Sequence, residues 1–176
     1  MRMIDLTGDG KPDLLITEDH VFTWYESEGR DGFAPARRTP KPLDEDNSPA
    51  IVFSDRVQSI FLADMSGHGL TDIVRVRNGE VCYWPNLGYG NFGAKVSMDN
   101  APVFDAPDAF NPSFLQLADI DGSGTADLVY FGKRTCRLWL NFSGNSLATT
   151  PIEFTSFPEA HDQSDIAVID LLGTGT

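Results

Sequence analysis

Polar and apolar positions follow one order, written three times along the chain. A short apolar run leads into a nine-residue loop rich in Asp and Gly. A second apolar run follows the loop, then a tight turn, then an alternating run that carries a Trp. The third copy shows it most cleanly. Phe114-Leu115-Gln116-Leu117-Ala118 precedes the loop Asp119-Ile120-Asp121-Gly122-Ser123-Gly124-Thr125-Ala126-Asp127, and Leu128-Val129-Tyr130-Phe131 follows it. The Trp runs are Val21-Phe22-Thr23-Trp24-Tyr25, Val81-Cys82-Tyr83-Trp84 and Cys136-Arg137-Leu138-Trp139. They are β-branched, aromatic and alternating, which predicts strands. Asn78-Gly79 separates two such runs and predicts a hairpin. No stretch carries a sustained helical period of apolar residues.

The loops begin at Asp5, Asp64, Asp119 and Asp170, which are 59, 55 and 51 residues apart. A Trp stands 11, 12 and 12 residues after the last Asp of the three full loops, and the three Trp are read as equivalent positions. A closing strand is expected in each unit, within Gly32–Ala36, Phe92–Val96 and Ile152–Thr155. Four strands per repeat of this length predict an all-β fold. The expected architecture is a β-propeller of about three four-stranded blades plus the first strand of a fourth, an open fragment of a larger propeller. A sandwich or a solenoid are the alternatives. The blades are placed at 1–42 (first strand truncated), 58–98 and 113–155, with the start of a fourth at 165–176. Polar, Pro-rich connectors are placed at 43–57, 99–112 and 156–164, because Pro cannot donate to a ladder. Phe104 and Phe110 suggest that the second connector packs onto a blade. Since the pattern opens almost inside a loop and stops inside another, the chain is expected to be a piece of a longer protein.

Charge narrows the partners. Among 176 residues, 26 are acidic and 13 are Lys or Arg, for a net charge of −13. Such a chain repels nucleic acid and anionic membranes, so neither is expected as a partner of this segment. Cys82 and Cys136 stand in strand-like runs and read as buried free thiols. The start, Met1 to Asp5, has no signal-peptide layout.

The loops carry the candidate chemistry. Oxygens on alternate residues of a tight loop converge on one centre, as hard divalent cations require. The first loop offers Asp5, Thr7, Asp9 and Asp13, and the third offers Asp119, Asp121, Ser123 and Asp127. Both are expected to hold Ca²⁺ in a structural role. The second loop has only Asp64, Ser66 and Asp72, with His68 at its fifth position, and is expected to hold little or none. The fourth has Leu172 at its third position and should be empty. The competing reading is an Asx-turn, with carboxylates capping backbone N–H groups and no metal. These are not EF-hands: Ile16 and Tyr130 stand where a bidentate Glu would be needed.

The loop with its trailing Trp region resembles the FG-GAP and VCBS repeats of integrin-type propellers. A narrower likeness runs through Leu62 to Val74, Tyr83 to Gly93, Leu117 to Gly124 and Trp139-Leu140-Asn141. These stretches resemble the middle region of the B component of Tc insecticidal toxin complexes, between an SpvB-like part and RHS repeats. The resemblance implies a secreted bacterial protein. It implies scaffolding and docking to a pore-forming A component, with the RHS/C component of the same complex as a second partner. A generic FG-GAP surface protein that binds carbohydrate or matrix is the alternative. No enzyme is expected. Glu26-Ser27-Glu28 matches the Glu-x-Glu of ADP-ribosyltransferases but lacks their companion motifs. His20, His68 and His161 are scattered. The three Trp are read as packing residues rather than as a sugar platform.

Overall fold

The fold was analysed in a computed structural model that describes residues 1–18, 20–47, 58–132, 135–156 and 168–169, with backbone alone at 58 and 59. The expected fourth loop and most of the first and third connectors lie outside the described residues.

The first unit is a four-stranded antiparallel meander of β1 (Arg2–Ile4), β2 (Asp13–Thr17), β3 (Val21–Tyr25) and β4 (Arg37–Pro40). The second contains β5 (Gln58–Ala63), β6 (Asp72–Arg77) and β7 (Glu80–Trp84). A small hairpin, β8 (Asn86–Gly88) with β9 (Asn91–Phe92), interrupts it before β10 (Val96–Ser97) closes the sheet on β7. The third contains β11 (Leu115–Ala118), β12 (Asp127–Phe131) and β13 (Cys136–Trp139). It too has a small hairpin, β14 (Asn141–Phe142) with β15 (Ser146–Leu147), before β16 (Ile152–Phe154) closes on β13. The described residues form no α-helix, and none of their helices is long and apolar enough to cross a membrane.

Each nine-residue loop joins the first two strands of its sheet, as the repeat predicts. The closing strands differ from expectation in two units. Gly32–Ala36 is not the fourth strand of the first sheet; Phe33 makes only an isolated bridge to Ser27. The edge strand is Arg37–Pro40, with Pro40 opposite Val21. Pro is tolerated there because an edge strand has one side free of ladder bonds. In the second sheet, Phe92 belongs to the small hairpin, and only Val96–Ser97 pairs with β7. In the third, Ile152–Phe154 falls where expected.

The second sheet lies between the other two. Its residues alternate between two faces, as a β period of two requires. Val74, Val76, Val81 and Tyr83 form one core with Leu115, Leu128, Tyr130 and Trp139 of the third unit. Ile60, Ile73, Cys82 and Trp84 occupy the opposite face, where Leu62 and Phe92 also touch the core of the first unit. Phe104 and Phe110 from the second connector are buried and stack 5.5 Å apart against Tyr130. Asn78 holds that connector by accepting from Phe104 N at 2.7 Å and donating to Asp105 O at 2.8 Å. Cys82 and Cys136 are buried free thiols.

One equivalence fails. Trp84 stands opposite Ile73 and Trp139 opposite Leu128, each the residue after the loop's last Asp. Trp24 stands opposite Leu15, two residues after Asp13; the counterpart of Trp84 is Tyr25, opposite Leu14. The spacing of 11 rather than 12 is therefore a change of face, since a shift by one residue turns a strand side chain to the other side of its sheet. Trp24 packs toward the second sheet, while Trp84 packs back toward the first.

Candidate functional site

The three loops are built on one hydrogen-bond plan. The first Asp of each caps the turn behind it. Asp5 accepts from Gly8 N at 2.7 Å and Gly10 N at 2.8 Å. Asp64 accepts from Gly67 N at 2.8 Å and Gly69 N at 2.6 Å. Asp119 accepts from Gly122 N and Gly124 N, both at 2.8 Å. Both glycines of every loop have positive φ, between 76° and 86°, where a Cβ is disfavoured. The turn thus depends on Gly at these places and on the Asp that gathers their N–H groups.

The ninth-position Asp does a different job. Asp13 accepts from Leu6 N at 2.9 Å and Ser27 N at 2.8 Å. Asp72 accepts from Met65 N at 3.0 Å and Asn86 N at 2.8 Å. Asp127 accepts from Ile120 N at 3.0 Å and Asn141 N at 2.8 Å. All three are buried, with 0–1% of their surface exposed. Each ties the start of its loop to a residue two positions beyond the Trp run, 14 positions on. Charge-assisted bonds of this kind are roughly twice as strong as neutral ones.

Two asparagines couple neighbouring units. Asn86 donates to Asp5 O at 3.2 Å and to Thr71 O at 3.1 Å, and it accepts from Gly88 N at 2.9 Å. Asn141 donates to Met65 O at 2.8 Å and Ala126 O at 3.0 Å, and it accepts from Gly144 N at 2.9 Å. Each side chain spans its own loop and the loop of the preceding unit. Direct backbone bonds reinforce it, from Tyr89 N to Leu6 O at 2.6 Å and from Ala126 N to Asp64 O at 2.8 Å. The signal for these residues was present as the recurring Trp84-Pro85-Asn86 and Trp139-Leu140-Asn141, but the spacing alone did not reveal a bond to another unit.

The expected metal ligands fare differently in the two loops. Asp119, Asp121 and Asp127 each place an oxygen within 4.8 Å of the others, and among the described residues they are the one such acidic group. Ser123 Oγ lies 3.0 Å from Thr125 Oγ1. Burial holds the Asp127 carboxyl above the ordinary Asp range; Asp121 and Asp119 push the same way, against the N–H bonds from Asn141 and Ile120. A cation placed among these three carboxylates would relieve that repulsion. In the first loop, Asp5, Asp9 and Asp13 form no comparable group. Lys11 Nζ donates to Asp9 at 2.7 Å, so an internal cation already faces that carboxylate. Thr7 Oγ1 is buried without a hydrogen-bond partner. In the second loop, His68 Nδ1 lies 2.6 Å from Ser66 Oγ.

The fold is similar to that of solved toxin chains. A chain in the Photorhabdus luminescens Tc holotoxin pore is 32% identical over 90% of this chain, with a TM-score of 0.75. The chain resembles a segment of a Tc toxin chain. It spans 7% of that Tc chain's length. A chain of the TcdB2–TccC3–Cdc42 structure shares the fold at 21% identity and a TM-score of 0.55, and this chain spans 12% of it. A lectin of Agrocybe aegerita that recognises non-reducing terminal N-acetylglucosamine shares it at 23% identity and 0.60, with 88% of this chain and 38% of the lectin covered. No protein-family model and no curated protein matches the chain, so the likeness to FG-GAP and VCBS repeats rests on the loop and its trailing Trp region.

Proposed function

We propose that the three sheets are blades of a β-propeller within a secreted, Tc-like toxin-complex protein, and that this segment scaffolds the complex and docks onto a pore-forming component without catalysing a reaction. The 32% identity across 90% of the chain to a Tc holotoxin pore chain carries this reading. The sheet faces support the propeller. Val74, Val76, Val81 and Tyr83 pack the second sheet on the third; their counterparts Val129, Phe131, Cys136 and Leu138 form an apolar face on the far side of the third, touched by Val168. That face lines a groove of about 290 Å³ and suits a further sheet. A non-catalytic role is supported by the use made of the loop carboxylates, which hold backbone N–H groups. In Glu26-Ser27-Glu28, Glu26 pairs with Arg37 at 2.9 Å. The test is affinity: the full-length protein is expected to be retained by the other chains of the Photorhabdus Tc holotoxin pore, and no retention would end the docking reading.

Ca²⁺ in the third loop belongs to the same proposal. Asp119, Asp121, Ser123 and Asp127 would hold it and rigidify the corner between β11 and β12. Asp5, Thr7, Asp9 and Asp13 would bind more weakly, since Lys11 must first leave Asp9. A ligand that binds only the folded state raises its melting temperature. Ca²⁺ is therefore expected to raise Tm relative to chelator, and Asp121→Asn to remove the shift. Equal melting curves with and without Ca²⁺ would dispose of the metal. The carbohydrate alternative has support from the lectin's fold alone, and it must use a surface other than the three buried Trp.

A further inference from the structure

The loops and small hairpins lie at one edge of the sheets, and that edge is continuous. A Cβ on Gly8 of the first loop would stand 3.1 Å from Leu70 of the second, and one on Gly67 would stand 3.1 Å from Thr125 of the third. The β8–β9 hairpin sits on the first loop through Asn86 and Tyr89, and the β14–β15 hairpin sits on the second through Asn141. Apolar side chains project from these hairpins into solvent. Leu87 is 65% exposed, Tyr89 59% and Phe142 54%. Leu87 and Phe142 each follow a coupling Asn, so the placement repeats. The loops at the same edge carry the carboxylates of Asp5, Asp9, Asp64, Asp119 and Asp121. Lys11 is the one Lys or Arg in the three loops, and it is held by Asp9.

Tyr89 adds a second observation. It has φ of 54° and Gly90 has 74°, the two positive values of the turn that favours Asn-Gly. A bulky residue with positive φ is disfavoured. The ring is not recovered in the core, because it stands in solvent. Large exposed aromatics set among polar groups mark interaction surfaces.

We propose that this edge is a protein-docking surface, with Leu87, Tyr89 and Phe142 as apolar anchors among acidic loops. The partner it fits is a protein surface with apolar recesses set between Lys and Arg side chains. A second copy of this chain is disfavoured, because both would carry the same negative charge. The inference rests on the docking reading above and names the side that docks.

The experiment measures affinity of the full-length protein for the other chains of the Photorhabdus Tc holotoxin pore. Tyr89→Asn supplies the residue the turn prefers, so Tm is expected to hold or rise while affinity falls about tenfold or more. A Leu87→Ser/Phe142→Ser double variant should weaken binding at least as much. Val103→Ser, at a site 68% exposed outside the small hairpins, should change nothing. Raising the salt should weaken the wild-type complex, as expected for opposite charges. Failure of the wild type to bind would remove the docking reading and this inference with it. Wild-type binding that persists in both hairpin variants, or that falls equally in Val103→Ser, would overturn the docking edge alone.

Discussion

The first unit and the two that follow share the aspartate plan but differ in what surrounds it. Asp13 holds the same pair of N–H positions as Asp72 and Asp127. The residue it holds 14 positions on is Ser27, where the later units have Asn86 and Asn141. Ser27 Oγ accepts from Gly29 N at 3.3 Å, which keeps the local half of the Asn role. A hydroxymethyl is too short to reach a neighbouring loop. The aromatic residue has moved as well: Trp24 faces forward, and Tyr25 takes the position of Trp84. The Trp84 N–H donates to Glu45 O at 3.0 Å, whereas the buried Trp24 N–H has no partner. The buried carboxylate is thus the invariant of the unit. The Trp is a packing residue that can serve either face.

The largest effect comes from emptying the interface between the first two sheets. Trp24→Ala and Trp84→Ala should each cost about 3–5 kcal/mol. They share Leu62 and Phe92 as neighbours, so the double variant should lose less than the sum, by about 0.5–3 kcal/mol. Trp24 with Trp139, in separate cores, should be additive. Denaturant unfolding of the three single and two double variants decides it, and additivity in both pairs would contradict the assigned face of Trp24.

The next effect belongs to the shared plan. Asp72→Ala leaves Met65 N and Asn86 N unpaired in a buried place and should cost about 2–4 kcal/mol. Asp13→Ala should cost a similar amount, because its partners are equivalent. A much smaller loss for Asp13 would show that the carboxylate matters only where an Asn follows it.

The coupling residues come third. Asn141→Ala removes a donor to Met65 O and Ala126 O and should cost about 1–3 kcal/mol. Ser27→Ala should cost less than about 0.5 kcal/mol, in the range of ordinary surface changes. Urea midpoints measure both, and equal losses would remove the distinction between the first unit and the others.

The smallest effect is in pH. Burial holds the Asp72 carboxyl above its usual range, with Asp64 adding to the shift and the N–H bonds opposing it. A carboxyl whose folded pKa exceeds its unfolded pKa takes up its proton earlier in the folded state. Its contribution therefore rises as pH falls from the folded value toward the ordinary 3.8. Glu80 runs the other way. Burial raises its pKa, but Arg75 and Arg77 outweigh burial and hold it below 4.5, so its contribution is present above that range and is lost on acidification. A melting series across pH 7 to 3 should show Asp72→Asn losing more stability on acidification than wild type down to the ordinary 3.8, and Glu80→Gln losing less below 4.5.

Much of the fold could be read from local pattern. The alternation in Val81 to Trp84 and the break at Asn78-Gly79 mark strands and a turn without outside help. The edge strand Arg37–Pro40 was not legible, because three of its four residues are polar or charged and the fourth is Pro. Edge strands are held by backbone bonds and need no apolar period. The small hairpins were hidden for a related reason: each pairs only two or three residues per strand, too few to show alternation. In the site, Asp119 and Asp127 were legible as loop markers. Their N–H partners were not, because Asn141 lies 14 residues from Asp127 and 76 from Met65.

The same division holds for the molecule. The amino-acid order by itself determined the repeat, the position of each turn and the identity of the nine loop residues, because φ preferences and alternation act over a few neighbours. Tertiary structure decided which face each Trp takes, which Asp are buried as backbone clamps and which keep an open carboxylate. It also decided which apolar residues remain outside. Those outcomes depend on strand register and on contacts between units, and a one-residue shift in register reverses a side chain without disturbing the local pattern that predicted the strand.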